Sequence, residues 1–140
     1  GDELVIQNDY SYSQDPAKKD DSRWVNRVAV GDSDLAKAND TSCLSGRIYQ
    51  QLQQLVQTRA QLAVLGHGST QILNCSNQHL FMYQREWQGQ RLVCVVNFSE
   101  HAQSCNDLPG QQWRDELSQQ PVHGSRLQLA AYQAFWLSAV

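Results

Sequence analysis

The spacing of apolar residues changes twice along this chain. Residues 1–40 show almost no period: GDELVIQNDYSYSQDPAKKDDSRWVNRVAVGDSDLAKAND is rich in Asp, Ser and Asn. From Ser45 to Leu65 the chain reads SGRIYQQLQQLVQTRAQLAVL, and Ile48, Leu52, Leu55, Val56, Leu62 and Ala63 share one face of a 3.6-residue repeat. That stripe predicts an amphipathic helix, with Ser42 or Ser45 as its cap and Gly66 as its end. After Gly66 the period becomes two. Strands are expected at Thr70–Asn74, His79–Glu86, Arg91–Phe98, Gln112–Leu117, Ser125–Ala130 and Tyr132–Leu137. Ser76-Asn77, Gln88-Gly89, Pro109-Gly110 and His123-Gly124 supply the turns between them.

Within the strands the alternation assigns faces. Leu80 and Met82, Leu127 and Leu129, and Tyr132, Ala134 and Trp136 each mark one buried side. Leu92-Val93-Cys94-Val95-Val96 is apolar throughout, so this strand is expected to be covered on both faces. Short strands with regular turn signals predict a mainly β architecture, an antiparallel Greek-key β-sandwich, preceded by a long loop and one helix. A sandwich of roughly 75 residues is near the size of marginal stability, so the helix is expected to complete its core.

Composition narrows the classes. With 140 residues, 41% of them hydrophobic, the chain suits one small domain plus part of another. The first residue is Gly rather than Met, which suggests a piece of something longer. Acidity is local: residues 1–40 carry nine Asp/Glu and five Lys/Arg, whereas residues 41–140 carry five and six. A net charge of −3 without a clustered basic strip gives no nucleic-acid footprint, and no apolar run is long enough to span a membrane. Cys43, Cys75, Cys94 and Cys105 form no C-x-x-C pair, so free, mostly buried thiols in a reducing, cytoplasmic setting are expected, without excluding a removed leader.

Candidate chemistry is sparse. His67, His79, His101 and His123 lack the spacing of metal ligands on one element, and neither a metal nor a cofactor is expected. Nucleophile elbows and phosphate-cradling glycine loops are missing from the sequence. Asn39, Asn74 and Asn97 each open an Asn-x-Ser/Thr triplet, read as chance matches, since Asn97 falls at a strand end where a glycan would collide with packing. The densest polar set is in residues 1–40: Asp2, Glu3, Asn8, Asp9, Asp15, Asp20, Asp21, Arg23, Trp24 and Arg27. Carboxylates, an Arg fork and aromatic rings suit sugars, whose hydroxyls donate and accept while their C–H faces stack on rings. A solvated acidic loop with internal ion pairs fits the same residues. Tyr10, Tyr12 and Trp24, with turns at Asp15-Pro16 and Val30-Gly31-Asp32, argue for an ordered loop.

Motif order adds a resemblance. GDE, then NDYSYSQDPAKKDDSRWVNR, GRIYQQLQQLVQTR, NFSE and a terminal AYQAFWLSAV together resemble the C-terminal part of amylosucrase-like, sucrose-acting enzymes of glycoside hydrolase family 13. The resemblance implies that residues 1–66 are the end of a catalytic (β/α)8 barrel, comprising the loop after strand 8 and the last helix. Residues 67–140 would then be domain C, the β-sandwich of alpha-amylase-type enzymes. It further implies a retaining mechanism with an Asp nucleophile, a Glu acid and a second Asp, all on barrel strands upstream of Gly1. No catalytic residue is therefore assigned to this chain. Arg23 matches the family's loop arginine beside the acceptor or fructosyl subsite, with Asp9 and Trp24 as weaker substrate-binding candidates. Relatives read RWVHRP where this chain has Arg23-Trp24-Val25-Asn26-Arg27-Val28, which bears on loop conformation and acceptor preference. The implied function is a non-catalytic C-terminal part of a glucosyl transferase or glycosidase acting on sucrose and α-glucans, with the remainder of the barrel as its partner. Alternatives are a sucrose hydrolase, another α-glucan enzyme, or a carbohydrate-binding or structural sandwich module.

Overall fold

The computed structural model describes residues 1–110 and 112–140, which form two compact units, Gly1–Val56 and Gln57–Val140. The division falls inside helix α2 (Leu44–Gln61).

Among the described residues the second unit is built on eight strands: β1 (Ser69–Ile72), β2 (Leu80–Trp87), β3 (Gln90–Asn97), β4 (Gln103–Cys105), β5 (Gln112–Asp115), β6 (Pro121–His123), β7 (Leu127–Leu129) and β8 (Ala134–Ala139). Six form an antiparallel sheet in the order β1-β2-β3-β8-β5-β6, and β4 pairs with β7 in a second, smaller sheet. The chain leaves the large sheet for β4, returns for β5 and β6, crosses again for β7, and comes back as β8 between β3 and β5. The expected mainly β sandwich is the fold observed.

Turn chemistry sets the central register. Gln88 and Gly89 both have positive φ, 48° and 79°, so the β2–β3 connection is a two-residue turn whose twist matches its strands. Trp87 consequently faces Gln90, and the pairing runs in step to Leu80 against Asn97. Strand β3 is covered on both sides. Val93 and Val95 join Leu80, Met82, Cys105, Leu108, Trp113, Leu127, Leu129 and Leu137 in the core between the sheets. Leu92 and Cys94 point the other way and pack with Val64 and Leu65. Leu92 through Val95 have no exposure at all.

Three expectations for this unit are corrected. Strands β4 and β6 lay outside the expected set, because three residues are too few to show a period, and Pro121 opens β6 at the sheet edge where its missing N–H costs no ladder bond. In the last strand Leu137 is the fully buried residue, whereas Ala134 and Trp136 are half-buried on the opposite face. Tyr132 precedes the strand in a left-handed conformation (φ 57°) and is 69% exposed.

The helix also differs from its expected form. It breaks at Leu62, and a short α3 (Ala63–His67) follows. Val64 and Leu65 reach the sheet from α3, while on α2 Leu52 and Val56 of the apolar stripe remain 41% and 66% exposed. Completion of the core thus falls to α3 rather than to the whole stripe. Gly66 lies inside α3, and Gly68 ends it, because a Cβ there would crowd the carbonyls of Val64 and Glu86. Arg85 from β2 donates to the Val64 and Leu65 carbonyls at 3.3 and 3.2 Å, joining the Gly68 N–H at the first and supplying a donor to the second at the helix end. At the other terminus neither Ser42 nor Ser45 caps α2; the Cys43 sulfur accepts from the Gly46 N–H at 3.4 Å.

Residues 1–40 contain more local structure than a plain loop. Three 3₁₀ turns span Asp2–Leu4, Tyr10–Gln14 and Ser22–Asn26, followed by a short helix α1 (Asp32–Lys37) that begins at Gly31. Asp side chains account for the turns: Asp9, Asp15 and Asp21 each accept from the backbone N–H two residues on. Gly46 is required where the chain folds back, since a Cβ there would collide with the Asp40 carbonyl.

Asn97 is a buried polar residue tied by its side chain on every side. It is 1% exposed, its Nδ2 donates to the His101 and Ala130 carbonyls at 2.7 and 2.8 Å, and its Oδ1 accepts from the Ser99 N–H and hydroxyl. A glycan has no room on this amide. Asn97→Ala leaves the Ser99 N–H without its partner and takes one of two donors from each of the His101 and Ala130 carbonyls, and should cost about 2 kcal/mol of unfolding free energy by urea titration. A change under about 0.5 kcal/mol would remove Asn97 from the framework.

Candidate functional site

The polar groups singled out in residues 1–40 divide between a cavity and a separate turn. The cavity holds about 540 Å³ and is lined by Gly1, Asp2, Glu3, Ile6, Gln7, Asn8, Asn26, Val28 and Val30. The first 3₁₀ turn supplies one wall, anchored by buried Leu4, and the segment after Asn26 supplies the other. Its lining mixes carboxylates and amides with aliphatic side chains, a chemistry suited to hydroxyl-rich ligands. Asp2, Glu3 and Asn8 belonged to the polar set, while Ile6, Gln7, Val28 and Val30 were not singled out. Asn26 and Val28 carried a signal: they are the two departures from the RWVHRP pattern, and both face this cavity.

Arg23, Asp9 and Trp24 are not among its lining residues. Arg23 is gripped by Asp21: Nε donates to Oδ1 at 2.8 Å and Nη2 to Oδ2 at 2.9 Å, while the Arg23 N–H also reaches Oδ1 at 3.0 Å. Bonding to Arg23 holds the Asp21 carboxyl down at about 2. The Arg23 side chain is 74% exposed, so the guanidinium is oriented at one edge and open at the other. Nη1 is the nitrogen outside that grip. Such an arrangement fixes direction without contributing much stability, because exposed pairs are screened by water.

Trp24 is half-buried between cations. Lys18 Nζ lies 5.1 Å and the Arg27 guanidinium 5.2 Å from its ring. Arg27 also approaches Asp21 Oδ2 at 3.7 Å, so Asp21, Arg23, Trp24 and Arg27 form one connected cluster on the third 3₁₀ turn. Asp9 has a different position. Its Oδ1 caps the second turn through the Ser11 N–H at 2.8 Å, and its own N–H donates to the Val25 carbonyl at 2.9 Å. That bond ties the second turn to the third. Bonding to Ser11 lowers the Asp9 carboxyl from its usual value. Tyr10 is 70% exposed and Tyr12 is half-buried.

The sandwich unit has a cavity of its own, about 340 Å³, bordered by Leu62, Val64, Arg91, Arg114, Glu116 and Ser138 among others. Its charges are already engaged: Arg114 Nη2 meets Glu116 Oε1 at 2.8 Å, and Arg91 Nη2 donates to Gln84 Oε1 at 2.7 Å. Phe135 packs against the core between the sheets, and Trp136 against the α3 side. Among the described residues no group of three or more His, Cys, Asp or Glu is placed to hold a metal ion, and no helix is long and apolar enough to cross a membrane.

Comparison with known proteins bears mainly on the sandwich. Residues 70–136 match the family model for the maltogenic amylase C-terminal domain. Over 123 residues the chain is 30% identical to trehalose-6-phosphate hydrolase of Escherichia coli (strain K12), covering 78% of this chain and 21% of that protein. The chain therefore spans about a fifth of this relative's length. The solved structure of AmyP in complex with maltose superposes with a TM-score of 0.61 at 16% identity, over 67% of this chain and 20% of that one. The trehalulose synthase MutB from Pseudomonas mesoacidophila MX-45 superposes with a TM-score of 0.58 at 23% identity, over 71% of this chain and 20% of that one. At these identities the two superpositions speak to fold alone. The sandwich is of the kind that forms the C-terminal β domain of alpha-amylase-type enzymes, and the sequence matches within and around it support a place for the chain in the alpha-amylase family, glycoside hydrolase family 13.

Proposed function

We propose that this chain is the C-terminal part of a retaining, amylosucrase-like enzyme that moves or releases glucose from sucrose and α-glucans. In this reading residues 1–66 are the end of the catalytic barrel and residues 67–140 are domain C. The chain itself is non-catalytic, because the Asp, Glu and second Asp of the resembled family lie on earlier barrel strands. A reducing, cytoplasmic setting accords with four free thiols. The observation that carries the proposal is the exposed part of the apolar stripe of α2. Leu52 and Val56 of that stripe are 41% and 66% exposed, and Leu44 at the helix start is 53% exposed, in a chain whose sandwich has the alpha-amylase C-terminal form. A last barrel helix would bury that stripe against the barrel.

The loop then serves as a rim. Loops at the C-terminal ends of barrel strands form the sites of such enzymes, and order in residues 1–40 is provided locally by Asp-capped turns. Arg23, held at one edge by Asp21, offers its remaining N–H groups to a sugar diol at the acceptor or fructosyl subsite. Trp24 and Asp9 act mainly as supports, the first through Lys18 and Arg27 and the second through its bond to Val25. A sucrose hydrolase or another α-glucan enzyme would use the same rim with different acceptor residues. Half-burial of Phe135 and Trp136 within the two clusters favours a structural sandwich over a carbohydrate-binding face.

Two measurements test this reading. The purified 140-residue chain, incubated with sucrose, should release neither glucose nor fructose, and sustained release would overturn the non-catalytic assignment. In the intact enzyme, Arg23→Ala should lower kcat/KM for sucrose or for the acceptor by roughly 10- to 150-fold, equivalent to about 1.5–3 kcal/mol. Unaltered kcat/KM for every sugar tried would take Arg23 out of the subsite.

A further inference from the structure

All four cysteines are free, and two of them share one core. Cys105 ends β4 with no exposure, in the core between the sheets. Cys75 lies in the connection between β1 and β2, half-buried, and packs against that same core. Both side chains thus belong to one apolar cluster, Cys105 as a member and Cys75 packed against it.

The backbone on either side is clamped independently of sulfur. The Ser76 N–H and hydroxyl donate to Asp107 Oδ2 at 2.8 and 2.7 Å. Asn77 Nδ2 donates to Gln103 Oε1 at 2.8 Å and to the Ser104 carbonyl at 3.3 Å. Four bonds thus hold the β1–β2 connection, two to β4 and two to Asp107 just past its end. Cys94 has a different neighbour, its cross-strand partner Tyr83 in the cluster on the opposite face of the large sheet, and Cys43 is engaged at the start of α2.

We propose that Cys75 and Cys105 are an oxidation-responsive pair that closes into an intramolecular disulfide, tying the β1–β2 connection to the small sheet. Cys75 is the point of entry because it alone of the two reaches solvent. Burial raises the Cys105 thiol and outweighs the Asp107 backbone bond that lowers it, so Cys105 acts second. With a small-molecule disulfide as oxidant, the Cys75 thiolate attacks one sulfur, forms a mixed disulfide and expels one thiolate, which takes up a proton. The Cys105 sulfur, giving its proton to solvent, then attacks the Cys75 sulfur and expels the second thiol. Two protein thiols and one disulfide become one protein disulfide and two small thiols. Closure spans roughly thirty residues of unfolded chain, while the folded segments are already in place, so the product is the more stable form.

The test uses the full chain, reduced and then incubated with excess oxidised glutathione before acid quenching. Free thiols should fall from four to two, with peptide mapping placing the new bond at Cys75–Cys105. The melting temperature should rise by roughly 5–10 °C. Cys75→Ser should abolish both changes, and Cys43→Ser should leave both intact. A stable glutathione adduct on Cys75 with Cys105 still open to alkylation after denaturation would overturn the proposal. So would products linked only through Cys43, or no loss of thiols at all.

Discussion

Strand β3 leaves neither face to water, and the C-terminal unit follows from that constraint. Leu92 and Cys94 need cover on one side, Val93 and Val95 on the other, so a single sheet cannot satisfy the strand. The small β4–β7 sheet covers one face and the α3 turn covers the other. Each fully buried aliphatic side chain contributes on the order of 1.5–3 kcal/mol, whereas an exposed ion pair contributes at most about 1 kcal/mol. Packing around β3 therefore outweighs every charged contact on the surface. The remaining polar devices place elements that packing has already stabilised: Asn97 ties the β3 end to the segments at His101 and Ala130, and Arg85 holds α3 to β2.

The N-terminal unit is organised on the opposite principle. Its buried apolar residues are Leu4 and Ala38, and its shape comes from Asp-capped turns and exposed pairs such as Asp15–Lys18, Asp21–Arg23 and Asp34–Lys37. Such contacts give a segment a defined form without much free energy. That combination is what the proposed rim requires: direction is set locally, at Arg23 by Asp21 for example. The exposed apolar residues Leu52 and Val56 on α2 accord with the barrel-helix role proposed above.

How much was legible in the sequence varies with the physical signal. Alternation over eight residues in β2 and an unbroken apolar run in β3 located those strands within a residue or so, and Gln88-Gly89 located their turn. Three-residue strands such as β4 and β6 carry no period, so they were invisible. Phase failed in β8 because both faces of that strand are partly covered, leaving Phe135 and Trp136 similar in burial. The break at Leu62 was hidden by good helix formers on both sides, and it follows from docking of Val64 and Leu65 on the sheet rather than from local preference. In the N-terminal unit the polar inventory was legible but its grouping was not. Arg23, Trp24 and Asp21 cluster on one turn while Asp2, Glu3 and Asn8 face the cavity, a division that backbone path decides and composition does not.

The central claim is that two-sided burial of β3 holds the C-terminal unit together. Native-state amide hydrogen exchange measures this directly, residue by residue. Amides of Leu92 to Val96 should exchange last, with an opening free energy equal to that of global unfolding by denaturant, while those of edge strands β1 and β6 exchange through cheaper local openings. Exchange from β3 at the rate of the edge strands would contradict the account.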